Sequence, residues 1–174
     1  MAIIIDELSG IFTLHTKHTT YQMKADAQKV LLHTYYGEKT DESDKSLLFS
    51  RADRGFSGNP YELGKLDRTY SLDSLPQEYS SFGTGDYRIT SLRVQNKDGS
   101  QAADLRYAGY RVQEGKYAIP GLPAVYAQNE EAETLMIRLK DPYSGLEVEL
   151  YYGILEEIDV ITRAVRITNQ GTDD

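Results

Sequence analysis

The stretch TLMIRLKDPYSGLEVELYYGIL, residues 134–155, sets the strongest limit on what this chain can become. Leu135, Ile137 and Leu139 recur every second residue, and Val148, Leu150, Tyr152 and Ile154 do the same on the way back. A helix would scatter such residues over opposite sides, whereas a strand gathers them on one face. Between the two runs lies DPYSG, with Pro142 at the second turn position, where its fixed φ is already correct. The pattern predicts an antiparallel hairpin with one buried face.

Similar runs recur. GIFTLHT (10–16), TYQMKAD (20–26) and KVLLHTYYG (29–37) predict three antiparallel strands, with Val30, Leu32, Thr34 and Tyr36 alternating in the third. Residues 86–115 predict two strands around NKDGS, where Asp98-Gly99 is a strong hairpin signal. DVITRAVRITNQG (159–171) alternates Ile161, Val165 and Ile167 around Arg163. NEEAETLMIRLK (129–140) has helix-forming residues, but its apolar period is two, so a strand is expected there. Eight or more short strands with hairpin turns, and no helix, imply an all-β antiparallel sandwich.

Residues 38–86 interrupt this regularity. They open on the charged run EKTDESDKS and carry RADRGFSGNP at 51–60. A long aperiodic segment inside a compact domain is usually functional or packed on something. Arg51, Asp53, Arg54 and Phe56 exceed what a simple turn requires.

Composition removes several classes of function. The 174 residues suit one domain, and the net charge of −8 is the wrong sign for a nucleic-acid surface. There is no cysteine, which excludes disulfides, thiolate catalysis and Cys-ligated zinc. His15, His18 and His33 have no metal-ligand spacing, and His15 and His33 read as satisfied strand histidines. No metal or cofactor is expected. No apolar run reaches the roughly 18 residues of a membrane span, and the N-terminus lacks a secretory pattern, so a cytoplasmic protein without nucleic-acid or membrane partners is expected. Tyrosine is abundant, 14 against 4 Phe and no Trp, which fits strand surfaces, interfaces or sugar stacking. The carboxylates yield no evident acid/base pair.

Four ordered stretches carry a resemblance. FSRADRGFSGNP (49–60), DRTYSLDSLPQEYSSFGTGDYR (67–88), DLRYAGYRVQEGKYAIPGLPAVY (104–126) and GLEVELYYGI with VITRAVRITN (145–169) together resemble the N-terminal part of α-galactosidases of glycoside hydrolase family 36. The resemblance implies a parent with an N-terminal β-sandwich, a (β/α)₈ barrel and a C-terminal β domain. That parent would hydrolyse terminal α-galactosides such as melibiose and raffinose with retention. The two catalytic aspartates of such a parent, with carboxyls roughly 5 to 5.5 Å apart, belong to the barrel. Residues 1–174 would then be the N-terminal part of the sandwich, inactive alone, with no catalytic residue, and barrel and C-terminal domain absent. Val165 and Ile167, with Leu150 and Tyr152, would lack covering strands.

The resemblance also implies a homo-oligomer, a tetramer in full-length members, in which this domain lends loop residues to a neighbour's pocket. The matching positions are Asp53 in RADRGFS and Arg68 in DRTYSLD. A carboxylate accepts from two sugar hydroxyls, and a guanidinium donates two bonds in one plane. Arg54 and Phe56 would pack and orient the loop. The same residue types also suit an internal Asp53–Arg ion pair that pins the loop. A stand-alone carbohydrate-binding module and a purely structural assembly domain remain the competing readings.

Overall fold

The computed structural model describes residues 2–53 and 67–171, and within them the chain is all-β. Eight strands are present: β1 (Ile3–Asp6), β2 (Ile11–His15), β3 (Thr19–Ala25), β4 (Leu31–Glu38), β5 (Arg106–Glu114), β6 (Glu133–Lys140), β7 (Leu146–Leu155) and β8 (Val160–Asn169). They form two four-stranded antiparallel sheets, β1-β2-β3-β4 and β5-β6-β7-β8. Among the described residues the only helical pieces are single 3₁₀ turns at Lys45–Leu48, Asn129–Glu131 and Glu156–Ile158.

The central hairpin is as its periodicity predicts. Leu135 pairs with Tyr152, Ile137 with Leu150 and Leu139 with Val148, and all six are buried. They face Phe12, Leu14, Tyr21 and Met23 of the first sheet, and this layer is the main core. The expected lack of cover over Leu150, Tyr152, Val165 and Ile167 is corrected for the first two and seen for the last two. Leu150 and Tyr152 are fully covered, while their β8 neighbours Val165 and Ile167 remain 43% and 48% exposed. The first sheet shields β7 and the Ile161 end of β8, and leaves Val165 and Ile167 half-covered.

In β4 the expected alternation breaks. Gln22 pairs with Tyr35 but Met23 with His33, so Thr34 is an extra residue that opposes nothing. Such a bulge reverses the phase of a strand. Leu31 consequently joins the main core, Val30 and Leu32 turn to the opposite face, and Tyr36 lies beside Tyr21, with ring centroids 5.6 Å apart.

Two elements depart from the sequence reading. β1 was not anticipated, because the consecutive isoleucines of IIID have no alternation. Residues 86–95 form no strand. The Asp98-Gly99 turn exists, closed by Asn96 N donating to Ser100 O at 2.8 Å, but it joins irregular segments. Ser91 and Leu92 donate to Ser80 O, and the Arg88 guanidinium donates to the Leu72 and Leu75 carbonyls. The backbone amides of Arg88, Ser91 and Leu92 thus go to Asp86 Oδ1 and Ser80 O instead of a ladder, and Ile89 is left exposed.

The described parts of the 39–105 connection cover the outer face of the first sheet. Buried Gln22 on β3 donates to Thr13 Oγ1 and Ser43 O, and accepts from Thr34 Oγ1 and Lys45 N. Val30, Leu32, Tyr70, Leu72 and Leu75 make a second small core there, flanked by Phe49. Glu78 N donates to Leu31 O and His33 N to Pro76 O, so residues 76–78 run along the outer edge of β4.

Candidate functional site

Two charged clusters compete for attention, and burial separates them. The first surrounds Glu78, whose side chain is 1% exposed. Its carboxylate accepts from Tyr21 Oη at 2.7 and 2.8 Å, from Tyr152 Oη at 2.8 Å and from Arg163 Nη2 at 2.5 Å. His33 Nδ1 lies 3.3 Å away. Burial pushes the Glu78 carboxyl up. The His33 ring, the Arg163 guanidinium and the two tyrosine hydroxyls outweigh this and hold it below the ordinary glutamate value. Burial, reinforced by the charge of Glu78, pushes Tyr21 and Tyr152 above the usual phenol range. Such a group is a poor proton donor or acceptor. Both Glu78 oxygens are hydrogen-bonded and join β3, β7 and β8 to the connecting segment, while the buried Nδ1 of His33, expected to be satisfied, makes no hydrogen bond. The role of Glu78 is to tie the two sheets together.

The second cluster is exposed and lies where the sequence pointed. Arg68 Nε is 3.1 Å from Asp53 Oδ1 and 3.0 Å from Oδ2, with the two side chains 69% and 52% exposed. Beside it, Arg51 Nη1 lies 3.6 Å from Asp67 Oδ2. Asp67 accepts from the Thr69 hydroxyl and amide, which hold its carboxyl below the usual range. Two oppositely charged pairs therefore bridge the chain where it leaves residue 53 and returns at residue 67. Both flanks rest on the second core, through Phe49 two positions before Arg51 and Tyr70 two positions after Arg68. Arg54 and Phe56 lie outside the described residues.

Chemically, the cluster places an exposed carboxylate and a planar guanidinium side by side, which is a hydrogen-bonding surface rather than an acid/base pair. His15 is satisfied by Thr20 Oγ1 at 2.9 Å, and among the described residues no group of acidic and histidine side chains could hold a metal. Among the described residues no helix is long and apolar enough to cross a membrane. The Glu78 cluster carried no sequence signal, because its partners lie 57 to 85 residues away.

Comparison with known proteins agrees with this architecture. The family model described as Glycosyl hydrolase family 36 N-terminal domain matches residues 29–174. A bifunctional alpha-galactosidase/sucrose kinase of Mediterraneibacter gnavus, AgaSK, is 58% identical over 99% of this chain, which covers 18% of that protein. The solved galactosidase domain of AgaSK superposes with a TM-score of 0.93 at 57% identity, over 99% of this chain and 24% of that one. A doubly substituted variant of the alpha-galactosidase AgaA of Geobacillus stearothermophilus, solved in complex with raffinose, gives 0.86 at 41% identity, over 94% of this chain and 22% of that one. The chain thus spans less than a quarter of the length of the relatives it matches.

Proposed function

Because this chain belongs to the N-terminal domain family of glycosyl hydrolase family 36, we propose that it is the N-terminal, non-catalytic part of an α-galactosidase. The parent would release terminal α-galactose from α-galactosides such as melibiose and raffinose with retention, in the cytoplasm. Within it, residues 1–174 would support a homo-oligomer and present Asp53 and Arg68 to the sugar pocket of a neighbouring subunit.

The observation that carries this reading is the exposed Asp53–Arg68 pair on a buried footing. Both side chains are more than half exposed, while Phe49 and Tyr70 fix the backbone on either side. Sugar hydroxyls need that combination of a charged acceptor and a planar donor held at a set spacing. A close relative bound to raffinose makes a galactoside the natural ligand to test. The bond between Asp53 and Arg68 also favours a second reading, in which the pair only pins the loop neck.

The test is kinetic. In the full-length protein, Asp53→Ala and Arg68→Ala should each raise KM for raffinose by about ten-fold to a hundred-fold, the worth of one charge-assisted hydrogen bond. Residues 1–174 alone should not turn over a nitrophenyl α-galactoside. Wild-type KM in both variants would leave the pinning role, and turnover by the 174-residue chain would remove the non-catalytic assignment.

A further inference from the structure

Arg68 is exposed, yet the turn that carries it is anchored by one buried side chain. Tyr70 is 6% exposed, and its ring packs among Val30, Leu32, Leu72 and Leu75. Its hydroxyl donates to Asp26 Oδ2 at 2.7 Å, and its amide donates to Asp67 O at 3.1 Å. Arg68 lies inside the turn that this second bond closes.

Asp26 is itself immobilised. Its Oδ1 accepts from the Gln28 and Val30 amides, both at 2.9 Å, and its carbonyl accepts from Lys29 N at 2.8 Å. The opposite sheet holds the same β3–β4 turn. Tyr107 N of β5 donates to Lys29 O at 2.7 Å, and Arg106 Nη1 donates to Gln28 O at 2.9 Å. The backbone of Arg68 is therefore referenced, through Tyr70 and Asp26, to both sheets of the sandwich. A phenylalanine would fill the same apolar pocket, so the hydroxyl is what packing leaves unexplained.

We propose that Tyr70, held by Asp26, is a positioning residue for Arg68, setting where the guanidinium meets a galactoside. The proposal rests on the sugar-contact role of Arg68 given above. A hydrogen bond to a carboxylate that is itself held by two amides restrains both torsions of the tyrosine, and a small displacement of a positioning group is felt strongly in substrate binding.

The test is a double-mutant cycle on the full-length protein with raffinose, reading KM and kcat separately. Tyr70→Phe should raise KM about three-fold to ten-fold, with kcat within about two-fold. In an Arg68→Ala background Tyr70→Phe should add nothing, because its effect runs through the guanidinium. Asp26→Asn, which breaks the same bond from the acceptor side, should show the same non-additivity, and it decides the matter should Tyr70→Phe fold poorly. If Arg68→Ala raises KM but Tyr70→Phe does not, or if the two effects simply multiply, the positioning role is wrong and the sugar contact stands. If Arg68→Ala itself leaves KM unchanged, the sugar-contact reading falls, and this proposal with it.

Discussion

Arg163 Nη2 meets Glu78 Oε1 at 2.5 Å, from 85 residues away in sequence. The two ends of this contact are unequal, since Glu78 is 1% exposed and Arg163 48%. Removing the arginine strands a carboxylate that cannot reach water, whereas removing the glutamate leaves a cation that can. Arg163→Met is therefore expected to cost roughly 3 kcal/mol in urea unfolding, near the lower end for a broken buried pair because both tyrosines remain. A loss below about 1 kcal/mol would show that Glu78 is not held by its charge partner.

The same carboxylate sets an acid limit. Its folded-state pKa is depressed, so its stabilisation is complete above the ordinary value of 4.5 and is lost as pH falls through the lower folded value. Unfolding midpoints of the wild type should therefore drop as pH is taken below about 4.5. Glu78→Gln, which cannot titrate, should be less stable at neutral pH and show a shallower fall. Parallel acid limbs in the two proteins would refute this.

The Asp53–Arg68 pair should contribute little to the fold. Both partners are more than half exposed, and such pairs are worth about 0–1 kcal/mol. Asp53→Ala, Arg68→Ala and the double variant should each melt within a few degrees of wild type. A large loss in either single variant, recovered in the double, would instead make the pair a structural clasp.

Two glycines with similar backbone angles should respond very differently. Gly10 and Gly99 have φ of +70° and +83°, the left-handed region. A Cβ at Gly10 would stand 2.4 Å from the Ala25 carbonyl oxygen, while at Gly99 it would meet nothing within 4 Å. Gly99→Ala should cost only the conformational penalty of about 1 kcal/mol, and Gly10→Ala roughly 2 kcal/mol or more, since the obstacle is backbone of a paired strand. Comparable melting temperatures for the two would refute the steric argument.

How much of this was legible depended on the distance over which each feature is decided. β6 and β7 were plain because alternation is a local property, and the main core follows from it. Leu31 could not be assigned to its face, because the bulge at Thr34 is imposed by the pairing with β3 and not by its own residues. Residues 86–95 read as a strand leading into NKDGS, but the amides of Arg88, Ser91 and Leu92 are taken by Asp86 Oδ1 and Ser80 O. Asp53 and Arg68 were reached through composition and resemblance, and the structure brings them together. Tyr70 and Asp26 were invisible beforehand, since a buried hydroxyl aimed at a carboxylate 44 residues away leaves no trace in spacing.

The sheet order has a consequence for how the molecule comes into being. Among the described strands, each ladder pairs neighbours in sequence, so each sheet is a contiguous meander, β1 to β4 and β5 to β8. The first meander and the β6–β7–β8 part of the second close through loops of three to five residues, whose entropic cost is small, while β5 joins β6 through the longer connection 115–132. Docking the two requires the long connection between Glu38 and Arg106 to fold back on itself, the one closure of high contact order. Glu78 sits in that connection and binds Tyr21 from one meander and Tyr152 from the other. Its bonds can all exist only once both halves are present, so the rate-limiting event of folding is expected to be the moment at which this one carboxylate leaves water.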